Sequence, residues 1–511
     1  MKKAKSLFRS ILLLTATTLL MRTVGVSFTV YLSGKIGSVG IGIFQLILSV
    51  DMLAITFATS GVKFASTRLV SEETGLGRRS GADRAVKCCL CYAAVCGTAA
   101  ALFVSHNAVW IGTEILNETR TIPSLRLLSL TLPLVSMSAA LSGYFIAVRQ
   151  SAKGVAIQIL EQLVKIGTTV AALSVLGEKG LEYACAAIVI GTCAGEAVSF
   201  LLLFTAWRLD IRPARGKKDG TVPGMLPRLL GISVPIALSA YARSGLSTLQ
   251  NLLIPRGLEK YGASKEASFT AYGTVHGMVL PVILYPCALL TVLADLLLPE
   301  LTECQVRHGR TYMNYIVNRV FKLSLIFSFL VMGVLFCCST DLGRAVYQNE
   351  DVSFYIRIFS PLVIVMYMDT VVDGMLKGLG EQLNSMKYNI IDSFVSVLLV
   401  FFLLPHFGIE GYIATVMLSE VLNFSLSLGK LIQITELRVH LLNGVGKPLI
   451  CIVSSALLCT KFLFARLTPA DASLVPALAA HILMIAGVYF CLLFLCRSLT
   501  GEDLRWLRTL L

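Results

Sequence analysis

Residues 385–432 read SMKYNIIDSFVSVLLVFFLLPHFGIEGYIATVMLSEVLNFSLSLGKLI. Two apolar runs, 385–405 and 410–432, are separated by a few residues that include Gly408. Each run has about the 20 residues that an α-helix needs to cross roughly 30 Å of hydrocarbon. The runs are long and continuously apolar, without the ten-residue alternation of a membrane β-strand. The segment predicts two helical spans joined by a tight turn.

The same reading extends over the 511 residues. The chain is 56% hydrophobic and 14% charged, with a mean hydropathy of +0.77. Soluble domains carry about 25% charged residues, so a soluble enzyme is excluded by composition, and disorder, collagen and coiled coil by the lack of polarity and repeats. About fourteen spans are expected, near 10–33, 40–62, 86–106, 124–148, 154–176, 181–207, 228–254, 268–296, 316–338, 354–376, 385–405, 410–432, 445–465 and 474–497. The run after Met1-Lys2-Lys3-Ala4-Lys5 continues to about Leu32 with no Ala-x-Ala pattern, so it is expected to be a retained first span rather than a signal peptide.

The net charge of +14 falls in short clusters between apolar runs, so no nucleic-acid partner is expected. With the N-terminus inside, roughly 30 Lys and Arg fall on cytoplasmic segments and roughly nine on external loops. The inside clusters include Arg78, Arg79, Arg84 and Lys87, and then Arg212, Arg215, Lys217 and Lys218. An even span count returns Arg497, Arg505 and Arg508 to the cytoplasm. Most of the fourteen cysteines lie inside apolar runs, where a free thiol packs as a small hydrophobe.

An internal repeat is visible. Pro133-Leu134-Val135 recurs as Pro361-Leu362-Val363, Arg149 as Lys377, and Gly180-Leu181-Glu182 as Gly408-Ile409-Glu410, all offset by 228 residues. Gly195-Glu196-Ala197-Val198-Ser199-Phe200 resembles Ser419-Glu420-Val421-Leu422-Asn423-Phe424. Spans 1–6 and 7–12 read as two parallel copies of a six-helix unit, a transporter arrangement that alternates access by rocking one bundle against the other. The expected division is a bundle over 1–207, a basic cytoplasmic linker over 208–227, a second bundle over 228–432, and spans 13 and 14 with a tail over 433–511.

A charge near the bilayer centre costs about 2.5–3.5 kcal/mol on insertion scales, so it faces a cavity or a partner. Arg22 in span 1 and Arg243 in span 7 occupy repeat-equivalent helices and are candidates for a cationic cavity that binds phosphate or pyrophosphate bidentately. Asp51 in span 2 is a candidate counter-charge to Arg22. Asp369 and Asp373, four apart in span 10, call for a cation, protons or an Arg between them, with Asp392 of span 11 as a further member. Glu161 and Lys165 share a helix face and are expected to neutralise each other. Glu196 and Glu420 read as packing or gating residues, and His276 and His481 as packed hydrogen-bonding residues. No phosphate-binding loop, zinc-protease motif or nucleophile elbow occurs, and no enzyme activity, metal or cofactor is expected beyond a coupling Na⁺ or H⁺.

Several stretches resemble the flippases of the MOP superfamily. Arg22-Thr23-Val24-Gly25 with Gly37-Ser38-Val39-Gly40-Ile41-Gly42-Ile43-Phe44 resembles their opening, and Lys63-Phe64-Ala65-Ser66-Thr67-Arg68-Leu69-Val70-Ser71-Glu72 the segment after span 2. Gly374-Met375-Leu376-Lys377-Gly378-Leu379-Gly380-Glu381-Gln382 and Gly408-Ile409-Glu410-Gly411-Tyr412 with Ala414-Thr415 resemble the span 10 exit and span 12 entry. The likeness is greatest to the stage V sporulation protein B and polysaccharide-exporter branch. It implies a flippase for polyprenyl-pyrophosphate-linked saccharides, a pair of bundles around a cationic cavity that includes Arg22, and a groove at spans 13 and 14 for the polyprenyl tail. Thr29 stands where lipid II flippases carry a second arginine, a departure that bears on the saccharide. The expected setting is the bacterial cytoplasmic membrane with both termini cytoplasmic; the expected partners are the lipid-linked substrate, membrane lipids and cell-wall synthesis proteins. The alternatives are a cation-coupled multidrug antiporter, against which two cavity arginines argue, and a non-transporting scaffold for wall synthesis.

Overall fold

The computed structural model describes residues 2–148, 150–210, 224–294, 297, 301, 309–435, 437, 441–460 and 474–503. Among them there is no strand, and the chain is a polytopic helical membrane protein. Ten described helices are long and apolar enough to cross a membrane, or eleven if the bent pair Thr119–Ser129 and Leu132–Ala147 counts as one span. Fourteen separate helices are therefore not seen. Two continuous elements each cover two of the expected spans, and Gly444–Leu458 is shorter than a span. The 53-residue helix Gln382–Ile434 would be about 80 Å long if straight. It is interrupted at Gly408, where φ is 56° and ψ −131°, a conformation open to glycine alone. The helix Lys2–Thr59 is broken in the same manner at Gly37.

The repeat has a backbone counterpart. Gly180 and Gly408, 228 residues apart, both have positive φ at the turn between two spans. Helix Leu132–Ala147 ends at Val148 with φ −84°, ψ 9°, and helix Leu362–Gly378 ends at Leu379 with φ −85°, ψ 9°. The next residues repeat the same bond, Gln150 N–H to Phe145 O and Glu381 N–H to Leu376 O, each 2.9 Å. These turns match at an offset of 231, three residues from the offset of the Arg149–Lys377 match. Arg149 itself lies outside the described residues, as do Arg212, Arg215, Lys217, Lys218, Arg505 and Arg508. Near Pro133 and Pro361 the helix is interrupted at Leu130-Thr131 and Ser360-Pro361, because proline cannot donate the backbone bond that would continue it.

The chain divides into two compact units, one of residues 35–270 and the other of 1–34 with 271–511. Each division point lies beside a helix irregularity, Gly37 in one case and the π-helix Gly273–Val279 in the other. In the 35–270 unit, Val62, Leu69, Val86, Cys89, Leu141, Phe145, Trp207 and Leu229 form a buried cluster that joins five helices. Close approach of helices Ser151–Leu176 and Leu181–Asp210 is set by Gly191, where an added Cβ would come 2.7 Å from Lys165 O. In the other unit Tyr272, Tyr367, Tyr412 and Tyr489 are the largest fully buried side chains. Every cysteine among the described residues is free.

Candidate functional site

The 1–34 and 271–511 unit contains a broken span. After helix Leu280–Leu284 comes Pro286, which has no N–H to donate. The Tyr285, Ala288 and Leu289 amides instead bond three residues back, to Val282, Tyr285 and Pro286 oxygens at 3.2–3.3 Å. The carbonyls of Ile283 and Leu284 thereby lose their usual helical partners. A buried carbonyl left unpaired costs about 1–3 kcal/mol. Two side chains satisfy them. Tyr367 Oη donates to Ile283 O at 2.6 Å. Arg22 Nη1 donates to Leu284 O at 2.7 Å. Thr23 Oγ1 and Tyr285 Oη meet at 2.9 Å beside them.

Arg22 is half-buried, and among the described residues no carboxylate lies within ion-pair distance of it. Guanidinium carries five N–H donors, so the bond to Leu284 leaves most of them uncommitted. The charge is held in place by a backbone carbonyl and is not neutralised by a local acid. Thr29, where the resemblance placed a second arginine, bonds its own helix at Gly25 O, 3.1 Å.

The acidic group in the same unit is wider than Asp369, Asp373 and Asp392. Asp373 is paired with Lys377 at 2.6 Å, one helical turn on, and receives the Ser385 hydroxyl. Lys377 thus supplies the cation that the Asp369–Asp373 spacing calls for. Asp369 Oδ2 accepts from Asn423 Nδ2 at 3.0 Å, while Asp369 Oδ1 and Asn423 Oδ1 are both buried without a hydrogen-bond partner. Asp392 accepts from Ser419 Oγ at 2.6 Å. Asp373 and Asp392 are charged neighbours of Asp369, and Asp369 and Asp392 are charged neighbours of Glu420. Lys377, Asn423, Tyr367 and Glu420 were not singled out for this site by their sequence positions. Lys377 is legible from its four-residue spacing to Asp373, and Glu420 from its repeat match to Glu196.

In the 35–270 unit Arg243 is exposed and has no hydrogen-bond or ion-pair partner among the described residues. Asp51 is buried, and its Oδ1 has no hydrogen-bond partner. Its charged neighbour is Lys165, and it in turn acts on Cys193 and Glu196. Glu161 and Lys165 do not close to an ion pair, although Lys165 is a charged neighbour of Glu161. Glu161 and Glu196 instead line a cavity of about 360 Å³ together with Lys63, Gln158 and Ser199.

The two intramembrane histidines are packed. His276 lies 5.0 Å from the Tyr272 ring and 6.1 Å from the Tyr412 ring, and His481 Nδ1 is 3.7 Å from Cys338 Sγ. Among the described residues no group of three or more His, Cys, Asp or Glu is arranged to hold a metal ion.

Residues 7–293, more than half of the chain, match the model of the family described as polysaccharide biosynthesis protein. The chain is 23% identical over 514 residues to stage V sporulation protein B of Bacillus subtilis (strain 168), covering 98% of each protein. It is 21% identical to the lipid II flippase MurJ of the same organism, covering 78% of this chain and 76% of that one. Among solved structures, lipid II flippase MurJ in an inward closed conformation superposes with a TM-score of 0.72 at 14% identity, covering 95% of this chain and 99% of that one. At that identity the superposition shows a shared fold.

Proposed function

The chain belongs to the polysaccharide biosynthesis protein family, and from that premise we propose that it flips polyprenyl-pyrophosphate-linked saccharides across the bacterial cytoplasmic membrane. The observation that carries the reading is Arg22. It is a cation inside an apolar span, fixed by Leu284 O and left without an acidic partner among the described residues. A charge of this kind is retained where it meets a ligand. A pyrophosphate is the fitting ligand, since a planar guanidinium binds its oxygens bidentately. In this reading Arg22 donates to the pyrophosphate, and Arg243, exposed and without a partner among the described residues of its own unit, is proposed as a further anion contact. The headgroup crosses while the polyprenyl tail stays in lipid.

The same reading assigns energy coupling to the acids. Asp369 has one oxygen anchored by Asn423 and one unpaired, so it can take up Na⁺ or H⁺, with Asp392 beside it. Asp373 is committed to Lys377 and serves to position that helix. Asp51, with an unpaired buried oxygen, is a second candidate for the coupling ion. The distribution of Lys and Arg along the sequence supports a cytoplasmic position for both termini in this reading. The membrane lipids and wall-synthesis proteins around it are its expected neighbours.

The reading is tested by native mass spectrometry of the purified protein with a polyprenyl-pyrophosphate glycan. Wild type is expected to bind it in preference to anionic phospholipid, and the Arg22→Ala/Arg243→Ala variant to lose that preference. Equal binding of glycan and phospholipid by wild type refutes the assignment and moves weight to the drug-antiporter reading.

A further inference from the structure

A basic cavity whose lining includes neither Arg22 nor the acids described above lies between three apolar helices of the 1–34 and 271–511 unit. Its volume is about 610 Å³, and its charged lining is Arg319, Lys322, Lys447, Arg497, Glu502 and Asp503. Arg319 and Lys322 lie in helix Gly309–Cys337, Lys447 opens helix Lys447–Leu458, and Arg497 follows helix Leu474–Leu495. Four cations face two acids there. Asp503 accounts for two of the cations, with Arg319 at 3.1 Å and Lys322 at 2.9 Å. Lys447 Nζ donates to Cys496 O at 3.2 Å, a carbonyl at the end of the helix and not a carboxylate. Arg497 has no hydrogen-bond or ion-pair partner among the described residues. Four cations against two carboxylates leave the lining with a net charge of +2, and Lys447 and Arg497 are the cations that no carboxylate pairs among the described residues.

The backbone at Arg497 points to function. Ser498 N–H bonds Leu493 O at 2.9 Å and Arg497 N–H bonds Phe494 O at 3.1 Å, the paired bonds that close a helix through a left-handed residue. Arg497 is that residue, with φ 52°. Glycine usually takes this position because it has no Cβ to clash. An arginine held there at a conformational cost, unpaired and facing a cavity, marks a ligand position. The two helices that carry Lys447 and Arg497 also expose apolar side chains, among them Ile450, Val453, Leu483 and Phe494. Basic pockets between spans at the level of the membrane surface take lipid headgroups.

We infer that this cavity binds the headgroup phosphate of an anionic membrane lipid between Lys447 and Arg497, with the lipid's hydrocarbon chains on the exposed apolar faces of helices Lys447–Leu458 and Leu474–Leu495. The Asp503 carboxylate holds Arg319 and Lys322 as the back wall. The inference is independent of the flippase reading, because it needs only a lipid surface and this unit of the chain.

The test is the thermal unfolding of full-length protein in neutral detergent, titrated with phosphatidylglycerol, phosphatidylcholine or inorganic phosphate. For wild type, phosphatidylglycerol is expected to raise the unfolding temperature at lower concentration than phosphatidylcholine. Arg497→Gly is expected to fold at least as well without lipid, since glycine suits the left-handed position, and to lose about fivefold in the phosphatidylglycerol midpoint. Arg497→Lys is expected to keep most of the preference. An unchanged midpoint in Arg497→Gly overturns the site. Poor folding of Arg497→Gly overturns the argument from the backbone. Equal protection by inorganic phosphate overturns the lipid as the source of the phosphate.

Discussion

Tyr367→Phe tests whether the broken span is held by side chains in place of backbone bonds. The side chain is fully buried, and its hydroxyl donates to Ile283 O at 2.6 Å. Phenylalanine keeps the ring and its packing and removes only that bond. One buried carbonyl then loses its partner, a cost of about 1–3 kcal/mol. At about 2–4 °C per kcal/mol, the value for domains of 150–250 residues, the unfolding temperature should fall by roughly 2–12 °C. A thiol-reactive dye followed during heating reads this directly, because Cys287 is buried beside the break and becomes accessible as the unit opens. Unfolding at the wild-type temperature would mean that the Cys287 amide bonds Ile283 O unaided. The break would then not depend on Tyr367, and the paired capping by Tyr367 and Arg22 would be refuted.

Three further outcomes follow from local geometry. Gly408→Ala places a Cβ on a backbone at φ 56°, ψ −131°, and should cost about 1–3 kcal/mol, read as a lower unfolding temperature; an unchanged value contradicts the reading of this turn as glycine-dependent. Burial pushes the Asp503 carboxyl up, but hydrogen bonds from Lys322 and from the Thr500 amide and hydroxyl outweigh it and hold the group below its ordinary value. The stabilisation is therefore complete above the ordinary carboxylate range and is lost as pH falls below about 4, through the lowered folded value. Asp503→Asn should flatten that acid limb of a stability–pH curve, and an unaltered limb contradicts it. Lys377→Met removes the partner of Asp373 and should destabilise the protein more than Lys377→Met/Asp373→Asn does, since a half-buried carboxylate without its cation costs more than a neutral pair.

Much of the helical architecture was legible because it depends on local chemistry. Runs of about 20 apolar residues announce spans whatever packs against them. Pro133 and Pro361 sit beside interruptions, and Gly180 and Gly408 occupy turns that need positive φ. The break at Leu284–Ala288 was not anticipated, because Pro286 lies inside the apolar run 268–296 and apolarity masks a local break. Pro281 and Pro286, five apart, were the signal for it. The partners of the charges were harder to read. Arg22 is anomalous by its position alone, but its bond to Leu284 O spans 262 residues, and only folding brings the two together. Asp369 with Asn423 is a pairing of the same kind. The Asp373–Lys377 pair lies one helical turn apart and is legible from spacing alone. Arg497 carries no sequence signal for a left-handed turn, since the glycine that usually marks one is missing.

The central claim is that Arg22 is an anion donor rather than only a cap for Leu284 O. The most direct measurement is transbilayer movement of a fluorescent polyprenyl-pyrophosphate saccharide in vesicles holding wild type, Arg22→Lys or Arg22→Gln. Lysine keeps the charge, whereas glutamine keeps a neutral donor for the carbonyl. Wild type should transport the lipid, Arg22→Lys should retain part of that rate, and Arg22→Gln should fall to the protein-free background while remaining folded. Transport by Arg22→Gln at the wild-type rate would contradict the account, because a neutral cap would then suffice.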